Sequence, residues 1–285
     1  MGKNTYMFRI KKILNHNAII GTGIEDSKEY LVLGKGIAFG KKVNEQVNYR
    51  EGDTMYSLQE YTERGKAEDI LKSVNPECLE LANEVLNQAE KEFGKIDRSI
   101  LFPMADHIEF AVKRIQNHEQ ISNPLTDDIR ILFYKEYKVA QCIEQLLMEK
   151  LQIKIDEHEI GYIALHVHSA IEDQKVSQAM QLAQAVRECI SLVEMQTGKK
   201  IDILSLSYNR LMNHVRYMIA RAINGEKLKV SMNDYMQVKF PKAYQMAAKL
   251  CQEMEKSLKL NWDEVEIGYL AMHIERVLND ELSKE

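Results

Sequence analysis

The chain has 285 residues, 45% of them hydrophobic and 28% charged, with a formal net charge of −5, which is enough for about one to three domains with ordinary cores. No apolar run approaches the roughly eighteen residues of a membrane-spanning helix, and Met1 to Tyr6 lacks the apolar run of a signal peptide. The four cysteines (Cys78, Cys142, Cys189, Cys251) make no C-x-x-C pair, so free, buried thiols in a reducing cytoplasm are expected.

Charge is unevenly spread. Residues 1–42 hold eight Lys/Arg against three Asp/Glu, a surplus of five, so the remainder carries a deficit of ten. A basic head on an acidic body points to a polyanion at the head; scattered surface charge is the plain alternative. Residues 6–60 read as strands: Phe8 to Leu14, Ala18 to Ile24, Tyr30 to Leu33, a resumption at Ile37 to Phe39, and Thr54 to Leu58. About sixty residues of sheet bury little surface alone, so a second copy across a dimer face is expected. Residues 61–68 are polar and aperiodic, and read as a linker. Beyond them apolar residues recur at helical spacing, as in Leu79, Ala82, Leu86, Ala89 and Phe93.

One stretch then dominates. Asp156 to Ala170 returns as Asp263 to Val277, 107 residues on, and the same offset relates His107 to His214. Arg114, Asn117, Phe133, Lys135, Tyr137 and Ala140 return as Arg221, Asn224, Phe240, Lys242, Tyr244 and Ala247. Two helical domains of common ancestry follow, about 66–172 and 173–285. Asp156 with Glu159, and Asp263 with Glu266, open the motif as D-x-x-E, a helix start whose acidic residues suit the dipole's positive end. Ile160, Ile163, Ala164 and Val167 form the buried stripe. A helical wheel puts His166 at the stripe's edge, beside Glu159, where another protein can reach it.

Four histidines, His107, His166, His214 and His273, are thus repeated two by two. One such residue is usually a hydrogen-bonded structural histidine; a pair kept in both copies calls for chemistry. His16, His118, His158 and His168 have no counterpart and read as structural. Metal hydrolysis lacks its ligand pattern: the order is Asp106-His107, the second copy has Asn213, and no H-E-x-x-H occurs. Acyl transfer lacks G-x-S-x-G, and no nucleotide loop is present. No enzyme, metal or cofactor is therefore read. A histidine that accepts a phosphoryl group fits best, because imidazole is nucleophilic near neutral pH and the donor supplies the catalysis. Arg114, Arg221 and Arg276 are candidates to pair with the new charge.

At these residues the chain resembles the bacterial antiterminators of sugar operons, the BglG/SacY type, over its whole length. The head carries Asn15-His16-Asn17 and Gly34-Lys35-Gly36-Ile37-Ala38-Phe39-Gly40-Lys41-Lys42. The body carries Asp106-His107-Ile108, E-I-G-Y-I-A-L-H at 159–166, Asn213-His214-Val215 and E-I-G-Y-L-A-M-H at 266–273. G-K-G-I-A-F-G-K-K and A-L-H-V-H-S-A are most similar to the glucose-responsive branch. The resemblance implies a multidomain α+β chain: a small antiparallel β RNA-binding (co-antiterminator) domain at 1–60, a linker at 61–68, and two homologous all-α helical-bundle phosphotransferase-system (PTS) regulation domains at 66–172 and 173–285. It implies a cytoplasmic homodimer whose head binds a leader-RNA hairpin so that a terminator cannot form. Phosphorylation of His107, His166, His214 and His273 by the phosphocarrier HPr or the sugar permease EIIB domain would set its competence. Many members of the family have Arg where Lys35 stands and Asn where His16 stands; Lys35 keeps the charge and loses the planar fork.

The residues themselves suit that role. Asn15 and Asn17 can read base edges, Phe39 can stack on a base, and Gly34 and Gly36 permit close approach. Lys11, Lys12, Lys41 and Lys42 can meet phosphate, and Lys35 is a further RNA-binding candidate. The plain readings are a core Phe39 and a solvated basic face. The alternative is a PTS-regulated DNA-binding activator, which would require a helix-turn-helix in the head.

Overall fold

The computed structural model describes residues 6–59, 61–62, 65–172, 175–198, 200–202 and 205–282. Two compact units result: Met1–Asn123 with Phe133–Val176, and Pro124–Leu132 with Ser177–Glu285.

The first unit opens with an antiparallel sheet of β1 (Met7–Asn15), β2 (Ala18–Gly23), β3 (Glu29–Leu33), β4 (Gln46–Asn48) and β5 (Thr54–Ser57), in the order β4-β1-β2-β3-β5. Alternation sets the faces: Phe8 and Ile10 are buried while Met7, Arg9 and Lys11 face water. Phe8 and Ile10 join Ile19, Val32, Ile37, Ala38 and Val47 in one core, and Tyr6, Tyr30 and Tyr49 ring Phe8. Residues 37–39 are not a strand. Gly36 and Gly40, at φ +66° and +69°, bracket a turn that sends Ile37 and Ala38 inward and Phe39 out. The three-residue β4, with Val47 as its one apolar member, escaped the sequence reading. No helix occurs among the described residues 6–59, so the head offers no helix-turn-helix there. Beyond it, β6 (Tyr61–Thr62) pairs with β7 (Gly65–Lys66); residues 63–64 of the expected linker lie outside the described residues.

Helices follow: α1 (Ala67–Ser73), α2 (Pro76–Phe93), a 3-10 turn at Arg98–Ile100, α3 (Leu101–Gln116), α4 (Thr126–Leu132), α5 (Tyr134–Ala140), α6 (Cys142–Leu151) and α7 (Glu157–Glu172). Asn75 caps α2, accepting from the Glu77 amide at 3.0 Å, with Pro76 in the first helical position. The sheet is fastened to α2 through polar groups: Asn83 Oδ1 accepts from Tyr56 Oη at 2.5 Å, Thr54 Oγ1 at 2.9 Å and Arg98 Nη2 at 2.9 Å. Asp156 caps α7 as the D-x-x-E start predicts, its Oδ1 accepting from the Glu159 amide at 2.9 Å. α7 is enclosed on nearly every side, with Glu159, Ile160, Gly161 and all of 163–170 buried. It is the central helix of its bundle.

The second unit contains α4 with α8 (Val176–Thr197), α9 (Leu206–Asn224), α10 (Asn233–Lys239), α11 (Pro241–Leu258) and α12 (Val265–Leu282). α4 is tied in by the buried Tyr208, whose hydroxyl donates to Asp128 at 2.6 Å. At the start of α12 the matching Asp263 accepts from the Val265 amide at 3.2 Å, two residues on, where Asp156 accepts from the third. No described helix is long and apolar enough to cross a membrane. All four cysteines are free thiols; three are buried and Cys142 is intermediate.

Candidate functional site

In the first helical repeat, α3 presents His107 and Arg114, and α7 presents Glu159, Tyr162 and His166. His107 and His166 face each other with ring centroids 5.6 Å apart, and Tyr162 stands 5.3 Å from His107. Arg114 grips Glu159 through Nε and Nη2, at 2.9, 2.6 and 2.9 Å, the bidentate geometry that makes such pairs strong. His107 Nε2 lies 3.1 Å from Glu159 Oε2. Burial pushes the Glu159 carboxyl up, and His107 and Arg114 more than offset this, holding it below the usual range.

The second repeat builds the same cluster from α9 and α12. His214 and His273 stack at 4.7 Å, Tyr269 lies 6.4 Å from His214, and Arg221 donates to Glu266 at 2.6 and 2.8 Å. His214 Nε2 is 3.9 Å from Glu266. Burial, with His273 and Arg221 nearby, brings the His214 ring down to about 3; burial, with Arg276 and Arg210 nearby, brings His273 down to about 4. Both rings are neutral at pH 7, with a lone pair available for a phosphoryl group.

The four histidines thus meet in two pairs. His166 is only 4% exposed and His107 9%. The expectation of an edge histidine within easy reach fails for His166, because neighbouring elements cover α7 on the sides a one-faced wheel leaves open. Arg114 and Arg221, two of the three candidate phosphoryl partners, are engaged by Glu159 and Glu266. The glutamates and tyrosines were missed as site members, although both repeat at the same 107-residue offset. His168 is buried against Phe133, with Nδ1 3.0 Å from Glu136.

On the head, two distant sequence segments form one surface. The β1–β2 hairpin tip (15–17) and the 34–41 turn are knitted by the Gly34 amide donating to Asn17 O at 2.9 Å, the Ala38 amide to His16 O at 3.1 Å and the Gly36 amide to Asn17 Oδ1 at 2.8 Å. Asn15 Oδ1 accepts from the Asn17 amide at 2.8 Å, which fixes the tip. Phe39 is 75% exposed, with His16 edge-on at 6.0 Å, so it is no core residue. Gly34 has no room for a Cβ beside the buried Asp53 carboxylate. Lys35 and Lys41 are exposed. Asn15 and Asn17 turn their side-chain amides toward Glu80 of α2.

The profile of the PRD domain matches residues 80–170 and 187–277, and that of the CAT RNA-binding domain matches residues 8–65. The chain belongs to the BglG/SacY-type family of transcription antiterminators. As a member of that family it is a regulatory RNA-binding protein rather than an enzyme. It is 28% identical over 271 residues to the GlcA/glcB genes antiterminator of Staphylococcus carnosus (strain TM300), covering 93% of this chain and 94% of the relative. Transcription antiterminator LicT of Bacillus subtilis (strain 168) is 27% identical over 275 residues, covering 95% and 99%. The solved structure of GlcT CAT-PRDI aligns with a TM-score of 0.50 at 31% identity, over 58% of this chain and all but 1% of that one.

Proposed function

We propose that this antiterminator acts in the cytoplasm as a homodimer that holds a leader-RNA hairpin, and that phosphoryl transfer onto His107, His166, His214 and His273 governs it. The RNA face comprises Asn15, Asn17, Gly34, Lys35, Gly36, Phe39 and Lys41. The domain limits are 1–60 for RNA binding, a connecting stretch at 61–68, and regulation domains at 66–172 and 173–285. The donors are the phosphocarrier HPr and a sugar permease EIIB domain.

The duplicated cluster of two facing histidines beside an Arg–Glu pair carries this reading. A structural histidine needs one partner; two adjacent rings repeated in both copies suit a ring lone pair that forms a P–N bond as the donor's bond to phosphorus breaks. The adduct adds a group of charge near −2 next to Glu159 or Glu266. That charge opposes the existing arrangement and favours movement of the Arg away from the Glu toward phosphate. Because His107 and His166 are buried, transfer onto them requires α3 to part from α7, whereas His214 and His273 are half-buried.

Phosphopeptide mapping after incubation with HPr, the EIIB domain and their phosphoryl source is the test. Label on peptides carrying these four histidines is expected, with loss of label in His→Ala variants. Label confined to His16, His118, His158 or His168 overturns the assignment.

A further inference from the structure

On the head, the acceptor oxygens of Asn15 and Asn17 are spent inside the loop, on the Asn17 and Gly36 amides. Their Nδ2 donors converge on one carboxylate. Glu80 Oε1 accepts from Asn15 Nδ2 at 2.7 Å, and Glu80 Oε2 accepts from Asn17 Nδ2 at 3.1 Å and from Lys150 Nζ at 2.8 Å. Chemistry fixes which way the amides point, since an amide oxygen turned toward a carboxylate would be repelled. Glu80 sits one turn into α2, and its side chain is 13% exposed. Burial pushes its carboxyl up, but Lys150, Asn15 and Asn17 hold it below the ordinary range, so it is ionised at neutral pH.

We propose that Glu80 is an autoinhibitory latch: its carboxylate occupies the amide donors of Asn15 and Asn17 in place of RNA, and Lys150 holds it there. The proposal rests on the reading that these asparagines contact RNA. A carboxylate offers two acceptor oxygens to a pair of donors, as a phosphate or a base edge does. The two occupants exclude one another, because the donors serve only one of them and RNA phosphate is repelled by Glu80. Release requires α2 to withdraw from the hairpin tip, which couples the first regulation domain to the RNA face.

The test uses the full chain and a stem-loop RNA enriched on the wild-type protein from a randomised-loop pool. Glu80→Gln keeps the shape and removes the charge, and is expected to bind that RNA about tenfold more tightly, about 1.4 kcal/mol. Glu84→Gln, one turn on along α2 and exposed, makes the same change of charge away from the tip and controls for general electrostatics; a gain below about twofold is expected. Lys150→Met removes a positive charge yet should tighten binding about threefold, opposite to the loss expected if Lys150 merely attracted RNA. Equal affinity for Glu80→Gln and wild type, or equal gains for Glu80→Gln and Glu84→Gln, with melting unchanged, overturns the latch. Asn15→Ala and Asn17→Ala separate the two failures: if both bind as wild type, the asparagines are not RNA contacts and the underlying reading fails with the latch. If they lose affinity while Glu80→Gln gains none, only the latch fails.

Discussion

At the scale of single residues, the Arg–Glu pairs set what the histidines can do. Glu159 is buried and charged, tolerable only because Arg114 meets both of its oxygens. Glu159→Gln keeps the volume but leaves Arg114 without its anion, so a loss of about 2 kcal/mol in urea unfolding is expected, with Glu266→Gln similar in the second repeat. A second expectation concerns pH. His214 and His273 are held at about 3 and about 4 in the folded chain, against about 6.5 when unfolded. The unfolded chain takes up these protons first, so their contribution is complete above about pH 6.5 and is lost as pH falls toward 3–4. The double variant His214→Gln/His273→Gln should therefore show a shallower fall in unfolding midpoint between pH 6.5 and 4 than wild type. Parallel curves would show that burial does not oppose protonation of these rings. The histidine pairing was legible in the repeat, but the role of Glu159 was not: an acidic residue in the first turn of a helix already has a sufficient reason in the helix dipole. Only the packing of α3 against α7 reveals the second reason.

At the scale of elements, the two copies share a frame and differ in surroundings. Arg210 and Arg276 both bear on His273, whereas the first copy has Pro103 and Ser169 at the matching positions. Removing either cation should raise the His273 pKa, a shift measurable by NMR titration; a fixed His273 pKa in both variants refutes the influence. Gly268 marks a close approach of α12 to α10. Its amide donates to Asn233 Oδ1 at 2.9 Å, and an added Cβ would meet the Asn233 amide and the Met232 carbonyl carbon, both at 2.8 Å. These backbone atoms yield little, so Gly268→Ala should destabilise the second unit by about 1–3 kcal/mol, read as a lower thermal midpoint. Helices with caps and long apolar periods could be read from sequence, as α2 and α7 were. The turn at 37–39 could not, because an apolar triplet looks the same in a strand and in a turn that buries two of its three side chains. β4 failed for the opposite reason, having one buried residue and therefore no pattern.

At the scale of the whole molecule, the surplus of positive charge falls in the head's residues 1–42, and the head's own ion pairs divide its lysines. Lys11 is paired with Glu29, and Lys41 lies 3.8 Å from Glu45. Among the described residues, Lys12, Lys35 and Lys42 make no such ion pair and are exposed. Each unpaired lysine that meets an RNA phosphate releases counterions and adds about 0.7–0.9 to the slope of log affinity against log salt. A lysine already neutralised by a carboxylate must first give up that partner, and adds less. Lys42→Met should therefore reduce the slope by nearly one unit and Lys11→Met by clearly less. Asn17→Ala should weaken binding at every salt concentration with the slope unchanged, because an amide contact carries no counterion. Titrations of a stem-loop RNA at four or more salt concentrations would resolve these three behaviours. Equal slopes for Lys42→Met and wild type would show that Lys42 meets no RNA phosphate. A slope change in Asn17→Ala would mean that its loss disturbs the 34–41 turn, to which it is bonded through Gly36, and would make Asn17 a shaper of the basic surface instead of a reader of bases.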